Sequence, residues 1–283
     1  MPFVYDNPNL VAPEYRREGD PRGGWGRART LHLLKHMTRR HLASRYRGSF
    51  LGFFWSLLNP VLMMLVYCFV FRYVVRAEVP NVPFPCFFLT AFLAWNCFSV
   101  GSGNAGAAVA DGGFLIRKAW FPRYVLPLSA VLSNLVNYLV ALPMLLAFNA
   151  IMGVYPGASI LLLPLAVLWL LVIVVGVGFL IAAIAPFFRD MLELVQVLFA
   201  AWFFFTPVIY PISFIETRMP PVLLTLYQLN PMVGCVRLLH HVFVGMPAPA
   251  GELALSIPAT VLLFVAGVWL FQKVSPRLSN ASL

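Results

Sequence analysis

Charge is laid out along this chain in a way that leaves few folds open. From Tyr124 to Phe188 there is no Asp, Glu, Lys or Arg, and the same holds from Gly48 to Phe71 and from Val79 to Ala110. A helix that crosses a bilayer needs about 20 apolar residues. Gly48–Phe71 therefore fits one crossing, whereas Tyr124–Phe188 is too long for one and suits two. The 283 residues are 61% hydrophobic and only 11% charged, against about 25% charged in soluble domains. These runs predict an all-α integral membrane protein.

Taken in order, the chain opens with a polar stretch, Met1–Gly26, rich in Pro, Gly and Arg. It has no apolar core segment of the kind a cleaved signal needs, and loose cytoplasmic order is expected. Arg27–Tyr46 can form a helix with Leu31, Leu34, Leu42 and Tyr46 on one face. Lys35 and Arg45 intrude on that face, but long basic side chains snorkel. A helix lying on the inner membrane surface is the favoured reading, and a solvated basic arm is the alternative.

Span one is expected over about Gly48–Phe71, with Arg72, Arg76 and Glu78 in a short outer loop. Span two draws on Val79–Ala110 and stops at Asp111-Gly112-Gly113. Spans three and four divide Tyr124–Phe188 at an outer turn, Tyr155-Pro156-Gly157. Span five covers about Leu192–Val208 and span six about Leu253–Gln272. Between them, Val222–Leu229 and Met232–Val244 are each too short to cross. With Pro220, Pro221 and Pro231 around them, they read as re-entrant or interfacial outer helices.

Six spans put both termini on one side. Sixteen of the 20 Lys and Arg fall in predicted inner segments and four in outer ones, so both termini are assigned to the cytoplasm. The same asymmetry accounts for the net charge of +10 without nucleic acid. The expected domains are residues 1–26, an interfacial helix over 27–47, a transmembrane domain over 48–275 and a cytoplasmic tail over 276–283.

Several functions lose their footing. Past their first turns the predicted spans carry no Asp, Glu, Lys or Arg, and pumps that harvest ion gradients need such groups. No Gly-Lys-Ser/Thr loop is present to hold ATP phosphates: the lysines are Lys35, Lys118 and Lys273, and none follows a glycine. Active transport would need a second chain to supply energy. The four cysteines form no C-x-x-C pair. Cys68 and Cys97 read as small hydrophobes, and a Cys86–Cys235 bridge is possible but not favoured. His240 and His241 lack an evident third metal ligand and read as interfacial polar residues; no metal site is expected.

Some polar and aromatic features remain open at this stage. Asn59-Pro60 is either a tolerated kink or a gating bend. Gly101-Ser102-Gly103-Asn104-Ala105-Gly106 favours close helix packing. Asp190-x-x-Glu193 reads as a capping box opening span five, and as a contact for a cytosolic partner. Phe53, Phe54 and Trp55, with Trp202–Phe205, could stack on the apolar faces of sugars; composition alone favours lipid-facing or core aromatics.

The order of motifs then points further. RYRGSFLGFFWSLLNP and VLMMLVYCFVF, FLIRKAWFP with Arg123 and PLS, APFFRD, FFFTPVIYP and LNPM together resemble ABC type-2 permeases. The likeness is strongest to those exporting lipid-linked polysaccharides (O-antigen, teichoic acid, capsule), and it covers about residues 27–275. The resemblance implies a homodimeric channel driven by two nucleotide-binding subunits that carry ATP and Mg, with no cofactor on this chain. It implies Phe53, Phe54, Trp55, Asn59, Phe203, Phe204 and Phe205 as channel lining. It implies Arg45, Arg47, Leu51 and Gly52 where a lipid pyrophosphate head comes in. The ATPase contacts implied are Phe114, Arg117, Lys118, Trp120, Phe121, Phe188, Arg189, Asp190 and Glu193.

The function expected is therefore a non-enzymatic transport subunit in the bacterial cytoplasmic membrane that moves lipid-linked polysaccharide. A permease for a small amphiphile is the alternative. An enzyme acting on lipid-linked sugar would need a carboxylate pair or D-x-D site, and none is seen.

Overall fold

A computed structural model describes residues 26–46, 54–70, 79, 82–112, 121–188, 190–216 and 219–278. The secondary structure among these residues is helical. The helices are α1 (Arg27–Tyr46), α2 (Phe54–Phe69), α3 (Phe84–Ala110), α4 (Val125–Ile151), α5 (Leu163–Ile184), α6 (Met191–Phe204), α7 (Ser213–Glu216), α8 (Pro221–Gln228), α9 (Pro231–Val244) and α10 (Ala250–Val274). Four of them, α3, α4, α5 with its flanking turns, and α10, are long and apolar enough to cross a membrane. The pair α8 and α9 makes a fifth candidate, bent by 78° at its break. Helices α2 and α6 are apolar but shorter, at 16 and 14 residues.

Proline and glycine place the ends. Helix α3 starts behind Pro83 with Pro85 in its first turn, where a missing N–H costs nothing. Its far end closes on Gly112, where a Cβ would sit 2.6 Å from the Ala108 carbonyl oxygen. The chain turns between α4 and α5 through Gly153, at φ 77°, followed by the expected Tyr155-Pro156-Gly157 and a 3-10 turn over Ala158–Leu162. Helix α9 has Asn230 as its N-cap, Pro231 in its first turn and Gly245 at its end in the left-handed region.

The core is built around α3, which packs against α2, α4, α5, α6 and α9. The expected small-residue packing is found on one face of it. A Cβ on Gly101 would lie 2.9 Å from Val174 and one on Gly106 2.4 Å from Ile181, both on α5. Ser102 Oγ donates to the Val174 carbonyl at 3.3 Å. Gly103 meets nothing within 4 Å, and Asn104 beside it is exposed. One glycine-rich segment thus splits between a helix contact and an open face.

Helix α10 lies against α5 through a second glycine pair. A Cβ on Gly267 would fall 2.1 Å from the Gly176 carbonyl oxygen. Backbones this close are the usual way membrane helices gain dispersion contacts without a hydrophobic drive.

The structure refines some expectations and corrects the capping box. Helix α1 docks along α4, and its covered stripe runs through Leu34, Met37, Thr38, His41 and Leu42; Leu31 is 65% exposed. The stripe includes Met37 and two polar side chains that an apolar-only pattern passed over. Asp190 precedes α6 but makes no side-chain cap bond. Its backbone sits at φ −87°, ψ 1°, not in the extended region from which an N-cap side chain folds back. All four cysteines are free thiols, with Cys86 and Cys235 both buried.

His240 is not interfacial. It is fully buried, stacked on Phe87 with ring centroids 4.0 Å apart. Its Nε2 lies 3.1 Å from the Phe87 carbonyl oxygen, which can only accept, so Nε2 carries the proton.

Candidate functional site

The candidate site is a groove of about 570 Å3 bounded by α2, α3 and α6. Met63 and Tyr67 come from α2. Phe92, Trp95, Ser99, Gly103 and Asn104 form its α3 side, and Leu192, Gln196, Phe199, Phe203 and Phe204 its α6 side. Among the described residues no Asp, Glu, Lys or Arg lines it. Aromatic faces alternate here with uncharged hydrogen-bonding groups, the mixture that suits an apolar-faced, hydroxyl-edged ligand.

Edge-to-face aromatic contacts hold α6 on α3. Phe199 meets Phe98 at 5.2 Å, Trp202 meets Phe98 at 5.1 Å and Phe203 meets Trp95 at 5.5 Å. Such pairs contribute about 0.5–1.5 kcal/mol each beyond the area they bury. Tyr67 reaches Phe203 at 6.1 Å and so links α2 to the same cluster.

The end of α6 is tied to the bent α8–α9 pair through one side chain. Asn230 Oδ1 accepts from Trp202 Nε1 at 3.0 Å and from the Met232 N–H at 3.0 Å. Its Nδ2 donates to the Phe205 carbonyl at 2.8 Å. The α9 residues behind it are buried, which allows broken backbone to sit within a membrane-sized bundle.

Arg237 of α9 is also buried, with its Nε 3.0 Å from Glu252 Oε1 at the start of α10. Sequence reasoning counted Arg237 among the outer-segment charges, on a short apolar helix, and missed the pair. The available signal was a lone arginine in an apolar helix, which needs a counter-ion when buried. Glu78, Glu216 and Glu252 were equal candidates by sequence.

The sequence-derived residues fall out unevenly. Phe203 is buried and Phe204 exposed, both on the groove, while Phe205 is exposed just beyond α6. Phe54, Trp55 and Asn59 are exposed on α2. Trp55, Asn59, Met63 and Tyr67 are spaced four apart, so they share one helix face, and its last two members line the groove. Phe188, Asp190 and Glu193 are exposed around the start of α6, whereas Phe121 packs on the core. Arg45 belongs to the last turn of α1. Phe53, Arg47, Leu51, Gly52, Phe114, Arg117, Lys118, Trp120 and Arg189 lie outside the described residues. Ser99, Gly103, Asn104 and Gln196 are groove residues that sequence reasoning did not assign. No group of three His, Cys, Asp or Glu among the described residues could hold a metal ion.

The family profile described as ABC-2 type transporter matches residues 32–244. The chain belongs to the ABC-2 type transporter family. Among curated relatives of this ABC-2 chain is the O-antigen export system permease protein RfbA of Myxococcus xanthus. The two are 39% identical over 236 residues, 83% of this chain and 89% of that protein. A protein of the same name from Klebsiella pneumoniae is 27% identical over 249 residues, 88% of this chain and 94% of the relative. The polysialic acid transport protein KpsM of Escherichia coli is 24% identical over 202 residues, 70% and 76% of the two chains. With its apolar helices, the ABC-2 chain is a multi-pass membrane protein and a transport component.

Proposed function

We propose that this chain is the membrane subunit through which an ABC exporter passes lipid-linked polysaccharide of the O-antigen type. The observation that carries this reading is the groove between α2 and α6, aromatic and, among the described residues, uncharged. The relatives' names, O-antigen export for two and polysialic acid transport for the third, support the substrate class. A polymer has to be held weakly at many points to slide, and stacking faces with amide and hydroxyl groups do that without trapping it. A charged lining would bind water and ions instead.

In this account α2 and α6, with the chain around them, complete six crossings of the bacterial cytoplasmic membrane, with both termini in the cytoplasm. Two copies face each other across the groove, and Trp55, Asn59, Phe203, Phe204 and Phe205, with Phe53 and Phe54, line the passage. The segment around Arg45, Arg47, Leu51 and Gly52 receives the pyrophosphate head. Two ATPase subunits, carrying ATP and Mg, dock on Phe114–Phe121 and on Phe188–Glu193. The exposed carboxylates of Asp190 and Glu193 offer that partner charge-assisted hydrogen bonds.

The test is genetic and chemical together. In cells lacking the ATPase partner, lipid-linked polymer should accumulate in the cytoplasm and vanish from the surface, and restoring the partner should reverse both. Normal surface polymer in that strain would refute the assignment.

A further inference from the structure

A second groove lies on helices that the first does not use. It has a volume of about 550 Å3 and is bounded by α4, α5 and α10, within the range of about 300–1,000 Å3 typical of small-molecule sites. Its walls are hydrocarbon and aromatic: Leu128 of α4, Val175 and Phe179 of α5, and Phe264, Val268 and Phe271 of α10. The α5 residues on it run from Leu171 to Phe179, so it extends about 12 Å along the helices at 1.5 Å per residue.

Its polar residues are Arg123, Tyr124, Gln272 and Ser275. They gather at one end, because α4 starts at Val125 and α10 ends at Val274. Arg123 Nη1 donates to the Ser275 carbonyl. Among the described residues no carboxylate lines the groove. The ion pair described among these residues, Arg237 with Glu252, does not involve Arg123. Lys273 and Arg277 add positive charge at the same end of α10.

We propose that this groove holds one anionic phospholipid, with an acyl chain along Val175, Phe179 and Val268 and its phosphate at Arg123. Three observations fix the occupant. The groove runs parallel to the helices, as a lipid tail does. Its half-buried cation, Arg123, sits at the helix ends, the level of headgroups. A guanidinium with no carboxylate partner binds phosphate through charge-assisted hydrogen bonds, and basic pockets between membrane helices recognise lipid heads in this way. A free phosphate would leave the apolar walls uncovered. The inference does not depend on what the exporter carries.

The full-length chain, purified in detergent, is incubated with phosphatidylglycerol or with phosphatidylcholine of the same acyl chains. Retained lipid is read by native mass spectrometry. The wild type should hold one phosphatidylglycerol roughly ten-fold or more over phosphatidylcholine, because both offer a phosphate to Arg123 but only phosphatidylcholine sets a choline cation against that guanidinium. Arg123→Gln should erase that preference. Val268→Trp, which fills the groove and leaves Arg123 in place, should release the lipid, and excess inorganic phosphate should not displace it from the wild type. Equal retention of the two lipids marks annular binding only and overturns the proposal. So does displacement by phosphate, or phosphatidylglycerol held as well by Val268→Trp as by the wild type. The last comparison decides the matter should Arg123→Gln fail to fold.

Discussion

Asn230 shows how much one side chain can organise. It caps α9, receives the indole N–H of Trp202 and donates to the Phe205 carbonyl. Replacing it with Ala removes a cap worth about 1 kcal/mol and leaves two polar groups without partners, so Asn230→Ala should cost about 3 kcal/mol in all. Asn230→Asp keeps the acceptor and loses only the donor, and should unfold at a temperature between those of the wild type and the alanine variant. The Arg237–Glu252 pair obeys a different rule. Breaking a buried pair strands a charge and costs about 3–5 kcal/mol, whereas an apolar replacement of both partners is often neutral. Arg237→Met should therefore be much less stable than Arg237→Met/Glu252→Leu when thermal unfolding of the two is compared. A double variant as unstable as the single would mean that the charges do more than neutralise each other.

At the level of elements, close backbone approach is the main device. Gly267 has the Gly176 backbone where its Cβ would be, while Gly251, on the same helix, faces open space. Gly267→Ala should destabilise by forcing α5 and α10 apart, and Gly251→Ala should be neutral or gain up to about 1 kcal/mol of helix propensity. Thermal shift of the two variants side by side checks this. Helix α1 brings a pH dependence. Burial, with Arg40 adding to it, pushes the His41 imidazole below its ordinary 6.5. The undocked helix then binds more protons than the docked one, so docking on α4 is complete above that value and weakens as pH falls below it. Spin-label distances between α1 and α4 should lengthen from about pH 7.5 to about pH 5.5, and His41→Gln should abolish the trend. These elements were legible to different degrees. The charge-free runs located α3, α4, α5 and α10, and the prolines located the break between α8 and α9. The covered face of α1 was not legible, because Met37, Thr38 and His41 do not stand out as an apolar stripe. The capping box failed because spacing cannot show the backbone angles of Asp190.

For the whole molecule, the aromatics of FFFTPVIYP and the asparagine of LNPM turn out to be one joint: the first ends α6 and the second begins α9. Sequence order showed both motifs but not that they touch. The groove was half legible. Its α6 wall was read from an aromatic run, while on its α3 wall Phe92, Trp95 and Ser99 were not singled out and Gly103 and Asn104 lay in a glycine-rich segment read as packing. That wall offers the most direct test of the account. Gly103 faces the groove with nothing within 4 Å of a Cβ, so Gly103→Trp should fill the passage without disturbing the bundle. The measurement is ATP-dependent appearance of lipid-linked polysaccharide inside inverted proteoliposomes that contain the chain and its ATPase partner. The account predicts transport by the wild type and a loss of at least about ten-fold for an assembled, folded Gly103→Trp complex, as expected for a blocked path rather than a lost contact. Polymer moving through that variant at the wild-type rate would contradict it.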